Sequence, residues 1–67
     1  MYKLYAYMED GLIAIFTCDE IKEQDFENKK MIDIFIKEYD EDYEISFNKF
    51  IGNLICTSYE LKEVSHG

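Results

Sequence analysis

The pair Asp10-Gly11 narrows the folds open to this chain more than any other local feature. It tolerates the positive φ of a tight turn, and it separates two runs of strand-forming residues. The first, Tyr2–Met8, is rich in aromatics, and the second, Leu12–Cys18, reads Leu-Ile-Ala-Ile-Phe-Thr-Cys. This pattern predicts an N-terminal antiparallel hairpin. Leu4 and Ala6 fall on one face, and Tyr5 and Tyr7 on the other. Because both faces carry apolar groups, one is expected to pack on a helix and the other to be covered by a second copy of the chain, as a homodimer.

The rest of the chain is more ambiguous. Thr17-Cys18-Asp19-Glu20 has the spacing of a capping box, and Asp25-Phe26-Glu27-Asn28 offers a second helix start with acidic residues in the first turn. From Asn28 onward Ile32, Phe35, Ile36 and Tyr39 recur at i, i+3, i+4 and i+7, which predicts a central amphipathic helix. A strand is the rival, since Ile32, Ile34 and Ile36 also fit period two. Asp40-Glu41-Asp42 reads as an exposed turn. Beyond it Tyr43, Ile45 and Phe47 alternate as a strand would, yet Phe47, Phe50, Ile51, Leu54 and Ile55 fit a second helix over 47–55 equally well. Gly52-Asn53 also serves as a hairpin turn in the strand reading. Tyr59–Val64 alternates and reads as a last strand added to the N-terminal hairpin, with Ser65-His66-Gly67 a frayed tail. The expected fold class is therefore α+β, in the order ββαβ or ββαββ, as one small domain spanning 1–67.

Charge narrows function. Fifteen Asp and Glu face seven Lys and no Arg, so 67 residues carry a formal charge of −8. Direct binding to nucleic acid or to an anionic membrane is accordingly not expected. Apolar residues make up 48% of the chain, more core-forming material than a disordered acidic tail carries. Its uninterrupted apolar runs reach five residues at most, as in Leu12–Phe16, against the roughly 18 that span a bilayer. The N-terminus has no basic region followed by an apolar block, so the expected location is intracellular. Phe, Tyr, Met, Ile, Asn and Lys make up 33 of 67 residues and proline is absent, a bias of AT-rich coding that points to the cytoplasm of a low-GC bacterial host. Cys18 and Cys56 are too few for a disulfide scaffold and read as buried thiols.

Within this acidic chain the carboxylates are clustered. Glu38-Tyr39-Asp40-Glu41-Asp42-Tyr43-Glu44 holds five carboxylates in seven residues, with two tyrosines and no lysine. A second group, Asp19, Glu20, Glu23, Asp25 and Glu27, precedes the predicted helix, and Glu9 and Asp10 sit at the hairpin turn. Exposed carboxylates a few ångströms apart repel by about 1 kcal/mol per pair in water, so a clustered arrangement calls for an offsetting role. An extended chain advances about 3.3 Å per residue, close to the roughly 3.4 Å phosphate rise of a DNA strand, so a carboxylate run can stand in for a phosphate track. Tyr39 and Tyr43 add rigid contact area with a polar tip. The candidate partner-binding residues are therefore Glu38, Tyr39, Asp40, Glu41, Asp42, Tyr43 and Glu44, with Asp19, Glu20 and Glu23. A solvated acidic loop is the plainer alternative.

Other chemistries find little footing. The acidic run lacks the central glycine and the ligand spacing of a calcium loop, and Cys18, Cys56 and His66 are three scattered residues where zinc needs four ligands. No metal or cofactor is expected. His66, the single histidine, stands next to the C-terminus, and neither cysteine has a neighbouring base, so no catalytic role is expected.

In size, acidity and the Glu38–Glu44 run, the chain resembles the small inhibitors encoded by phages and mobile elements, such as anti-CRISPR proteins and uracil-DNA glycosylase inhibitors. That resemblance implies a non-catalytic inhibitor that mimics nucleic acid and occupies the basic groove of a host defence or DNA-processing protein. A small homodimeric adaptor or accessory subunit, binding through apolar strand faces, is the alternative.

Overall fold

The computed structural model describes residues 1–64 and is built entirely from strands. In chain order these are β1 (Tyr2–Tyr7), β2 (Ile13–Cys18), β3 (Glu20–Phe26), β4 (Lys29–Asp40), β5 (Ile45–Cys56) and β6 (Ser58–Glu63). They form two antiparallel three-stranded sheets, ordered β2-β1-β6 and β3-β4-β5. The predicted frayed tail, 65–67, lies outside the described residues.

The expected α+β class is overturned: no helix occurs among the described residues. The central segment is the twelve-residue strand β4, because Ile32 and Ile34 point into the core on alternate positions while Phe35 packs edge-to-face on Phe50 on the opposite side. β-branched residues favour that arrangement, and both faces of the strand find partners. The second predicted helix, 47–55, is likewise strand, within β5. Its helical appearance has a cause. Ile34 pairs with Gly52 but Phe35 pairs with Phe50, so Ile51 is an extra, bulged residue. The bulge switches which parity of β5 faces inward, and a period-two pattern with one inserted residue mimics i, i+3, i+4 spacing. Gly52, at φ 157°, follows the bulge rather than forming a hairpin turn.

Two bends join the sheets. β2 passes into β3 at Asp19, whose backbone N–H donates to the Phe35 carbonyl at 2.9 Å, and β5 passes into β6 at Thr57, whose N–H donates to the Tyr7 carbonyl at 2.9 Å. The two long bent strands β2/β3 and β5/β6 thus each belong to both sheets, as in orthogonal sandwiches. Between the sheets lie Leu4 and Ala6 of β1, Ile32 and Ile34 of β4, and Cys18 and Cys56 just before the bends. Glu20–Phe26, flanked by the predicted helix starts at 17–20 and 25–28, is instead a strand paired with β4 from Glu20–Phe35 to Phe26–Lys29, with its exposed Glu23 and Asp25 both paired with Lys30 at 2.8 and 3.0 Å.

Three hairpin turns occur among the described residues. In the first, Gly11 at φ 88° donates its N–H to the Met8 carbonyl at 3.1 Å, and Asp10 Oδ1 accepts from the Leu12 N–H at 3.1 Å. The second is a two-residue turn at Glu27-Asn28, both with positive φ. The third, 41–44, joins β4 to β5 with Glu44 at φ 52°. Tyr43, predicted to begin a strand, lies in this turn. No helix of the described residues is long and apolar enough to cross a membrane.

Candidate functional site

β3 ends its pairing with β4 at the Glu20–Phe35 pair, whereas β4 and β5 stay paired as far as Asp40–Ile45. From Ile36 to Lys49 the two strands therefore form a bare two-stranded arm that runs past the body of the sheet. The molecule is correspondingly elongated. Its radius of gyration is 13.6 Å, where a compact chain of this length has about 11 Å, and its long axis is 43 Å. A twelve-residue strand accounts for about 40 Å of that length.

The arm ends in the acidic run. Glu38 and Asp40 close β4 on its inward-facing side, Tyr39 lies between them on the other side, and Glu41, Asp42, Tyr43 and Glu44 make the turn. Tyr39 and Tyr43 are 61% and 74% exposed. Asp40 Oδ1 accepts the Asp42 N–H at 3.0 Å, an Asx turn that folds the run back on itself. The carboxylates thus gather at a tip instead of running along a rail. Residues 36–49 hold five carboxylates against Lys37 and Lys49, and Lys49 reaches Glu38 at 3.5 Å.

The three outlying candidates divide. Asp19 and Glu20 stand at the root of the arm: Asp19 Oδ2 accepts the Lys37 N–H at 2.7 Å, and Glu20 accepts a hydrogen bond from the Asn48 side-chain amide. They brace the arm on both of its strands. Glu23 does not join them. It meets Lys30 of the neighbouring strand β4 at 2.8 Å and, across to the other sheet, accepts a hydrogen bond from the Tyr59 hydroxyl of β6. Those two hydrogen bonds hold its carboxyl below the usual glutamate range, and the same carboxylate raises Lys30 and Tyr59. This Glu23–Lys30–Tyr59 group is missed by sequence reasoning, since its signal, acids alternating opposite a lysine, emerges only once the Glu27-Asn28 turn is known.

Comparison with models of protein families, with curated proteins and with solved structures finds no match to this chain.

An open cleft of about 650 Å³ lies at the other end of β4 and β5, floored by Met8, Leu12, Ile13, Ile55 and Cys56. Its polar groups are engaged elsewhere. Glu9 pairs with Lys29 at 2.7 Å, Asp10 serves the first turn, and the Thr57 hydroxyl donates to the Tyr7 carbonyl at 2.8 Å. Burial pushes both the Cys18 and Cys56 thiols up, away from the reactive thiolate. Among the described residues no three His, Cys, Asp or Glu side chains gather as metal ligands.

Proposed function

We propose that this chain is a non-catalytic inhibitor that inserts the acidic, tyrosine-bearing tip of its arm into the basic nucleic-acid groove of a bacterial defence or DNA-processing protein. The observation that supports this reading is the presentation of exposed Tyr39, Tyr43 and the clustered carboxylates at the end of a β4/β5 arm that continues past the last β3 pair. A knob of this kind fits a groove. Steric exclusion of DNA or RNA is the mechanism, and attraction between opposite charges speeds association.

The test starts from the immobilised chain, incubated with a bacterial lysate at low salt and eluted with duplex DNA. A basic nucleic-acid-binding protein is expected in the eluate. With that protein purified, replacing Glu41 and Asp42 by Lys lowers affinity at least tenfold, whereas Glu60→Lys with Glu63→Lys on β6 costs far less. Equal losses for the two pairs, or an association rate indifferent to salt, would refute the proposal.

The homodimeric reading finds its own support in exposed apolar side chains on β2, namely Ile13 and Ile15, and in Leu12 just before it. Tyr5 and Tyr7, which the sequence placed at that interface, are only half-exposed, and Lys3 and Lys62 lie over the Tyr5 ring at 5.9 and 5.1 Å. That face of β1 is already partly covered.

A further inference from the structure

β5 is an edge strand whose composition differs from the rest of the molecule. Residues 45–59 contain no Asp or Glu, while all fifteen carboxylates lie elsewhere in the chain, and Lys49 is the single charge between Ile45 and Cys56. A twelve-residue edge without proline and with one charge is a template for pairing with another strand. The bulge at Ile51 interrupts it and leaves Ile45–Phe50 as the uninterrupted part, along the bare arm. A two-stranded ribbon is marginally stable by itself in water, yet this one exposes Ile45, Phe47 and Phe50 at 51%, 39% and 53%.

We infer that two copies of this chain pair antiparallel through the Ile45–Lys49 edges of β5, about a two-fold axis at Phe47, so that the two arms make one four-stranded sheet. Charge selects a second copy as the occupant. Two molecules of charge −8 repel over most approaches, and this edge is the longest stretch without a carboxylate. Antiparallel pairing sends the two acidic turns to opposite ends, roughly 25 Å apart, several times the ~8 Å screening length at physiological salt. It also sets Lys49 opposite Ile45 of the second copy, whose own β4 neighbour is Asp40, so each lysine faces the other copy's acidic tip. Area agrees with this. The accessible surface is 5105 Å², where a compact 8.0 kDa monomer has about 4,500 Å², and the excess approaches one partner's share of a standard interface, about 800 Å². The inference goes beyond groove binding and does not require it, because both tips remain exposed in the pair.

Sedimentation of the full chain from micromolar to several hundred micromolar is expected to show a monomer–dimer equilibrium, with Lys49→Glu raising the dissociation constant about tenfold. The decisive measurement is oxidative cross-linking of single-cysteine additions on this surface. Phe47→Cys meets its own copy on the axis at about 4.5–5.5 Å between Cα atoms and bridges at least tenfold faster than Ser46→Cys, whose copy is offset, or Ile15→Cys on the other sheet. A monomer at every concentration would overturn the inference, whether the edge is vacant or takes a strand of a different protein. So would a dimer that cross-links through Ile15→Cys, or one that bridges equally from Ser46→Cys. None of these outcomes depends on whether a basic groove is bound.

Discussion

Glu23 ties the two sheets together through side chains alone, since it belongs to β3 while Tyr59 belongs to β6. Its carboxyl is lowered by hydrogen bonds first from Lys30 and then from Tyr59, so the stability it confers is present above the unfolded glutamate value, about 4.3, and is lost as pH falls through the lower folded value. Lys30 and Tyr59 are raised, chiefly by Glu23. Their contribution is present below the unfolded values, near 10, and is lost as pH rises through the folded ones. Melting temperature should therefore be flat between about pH 5 and 8 and decline on both sides, the two thiols, also raised by burial, adding to the alkaline loss from their unfolded value of about 8.5. Glu23→Gln is expected to melt lower on the plateau and to show a shallower acid limb, and Tyr59→Phe a shallower alkaline one. Acid limbs that superimpose for wild type and Glu23→Gln would assign the acid loss to other carboxylates.

Among the elements, the Glu27-Asn28 turn departs furthest from what its geometry prefers. Both residues hold positive φ, a conformation that suits Asn and Gly and strains a glutamate. Replacing the pair with Asn-Gly relieves that strain and is expected to raise the melting temperature by about 4–8 °C, the shift that ~1 kcal/mol produces in a domain of this size. An unchanged or lower value would place the turn's constraint in the tertiary contacts of Lys29 and Lys30. The same turn shows why the fold was only partly legible in the sequence. β1 and β2 could be read because Asp10-Gly11 is the usual residue pair for its turn and the flanking strands are apolar. β3 could not, because Ile21 is the sole apolar residue on the face of Glu20–Phe26 that it shares with the exposed acids Glu23 and Asp25. In β4 the alternating isoleucines and the helical stripe coexist, and only a partner on each face decides between them. In β5 one bulged residue disguised the period. The tip was legible because its residues are contiguous, so any turn at 41–44 keeps them together. Glu23 was not, since its partners come from two other strands.

At the scale of the whole molecule, six buried side chains among the described residues hold a body from which a long arm extends. Cys18 and Cys56, each 1% exposed, sit immediately before the two bends and serve as built-in reporters. Both thiols should resist a water-soluble disulfide reagent in the native state and become reactive at the same urea midpoint, measured separately in Cys18→Ser and Cys56→Ser chains corrected for any stability change. Midpoints that separate would mean that one bend opens before the other. The expectation of coincidence comes from the way the chain turns at Asp19 and Thr57. A strand that serves two sheets cannot leave one without loosening the other, so the chain has no natural place to be cut into halves that would each fold alone. Deleting β1 or β6, or splitting the chain at a bend to carry a reporter, should abolish structure outright, whereas a graft into the loop at 41–44 disturbs neither bend.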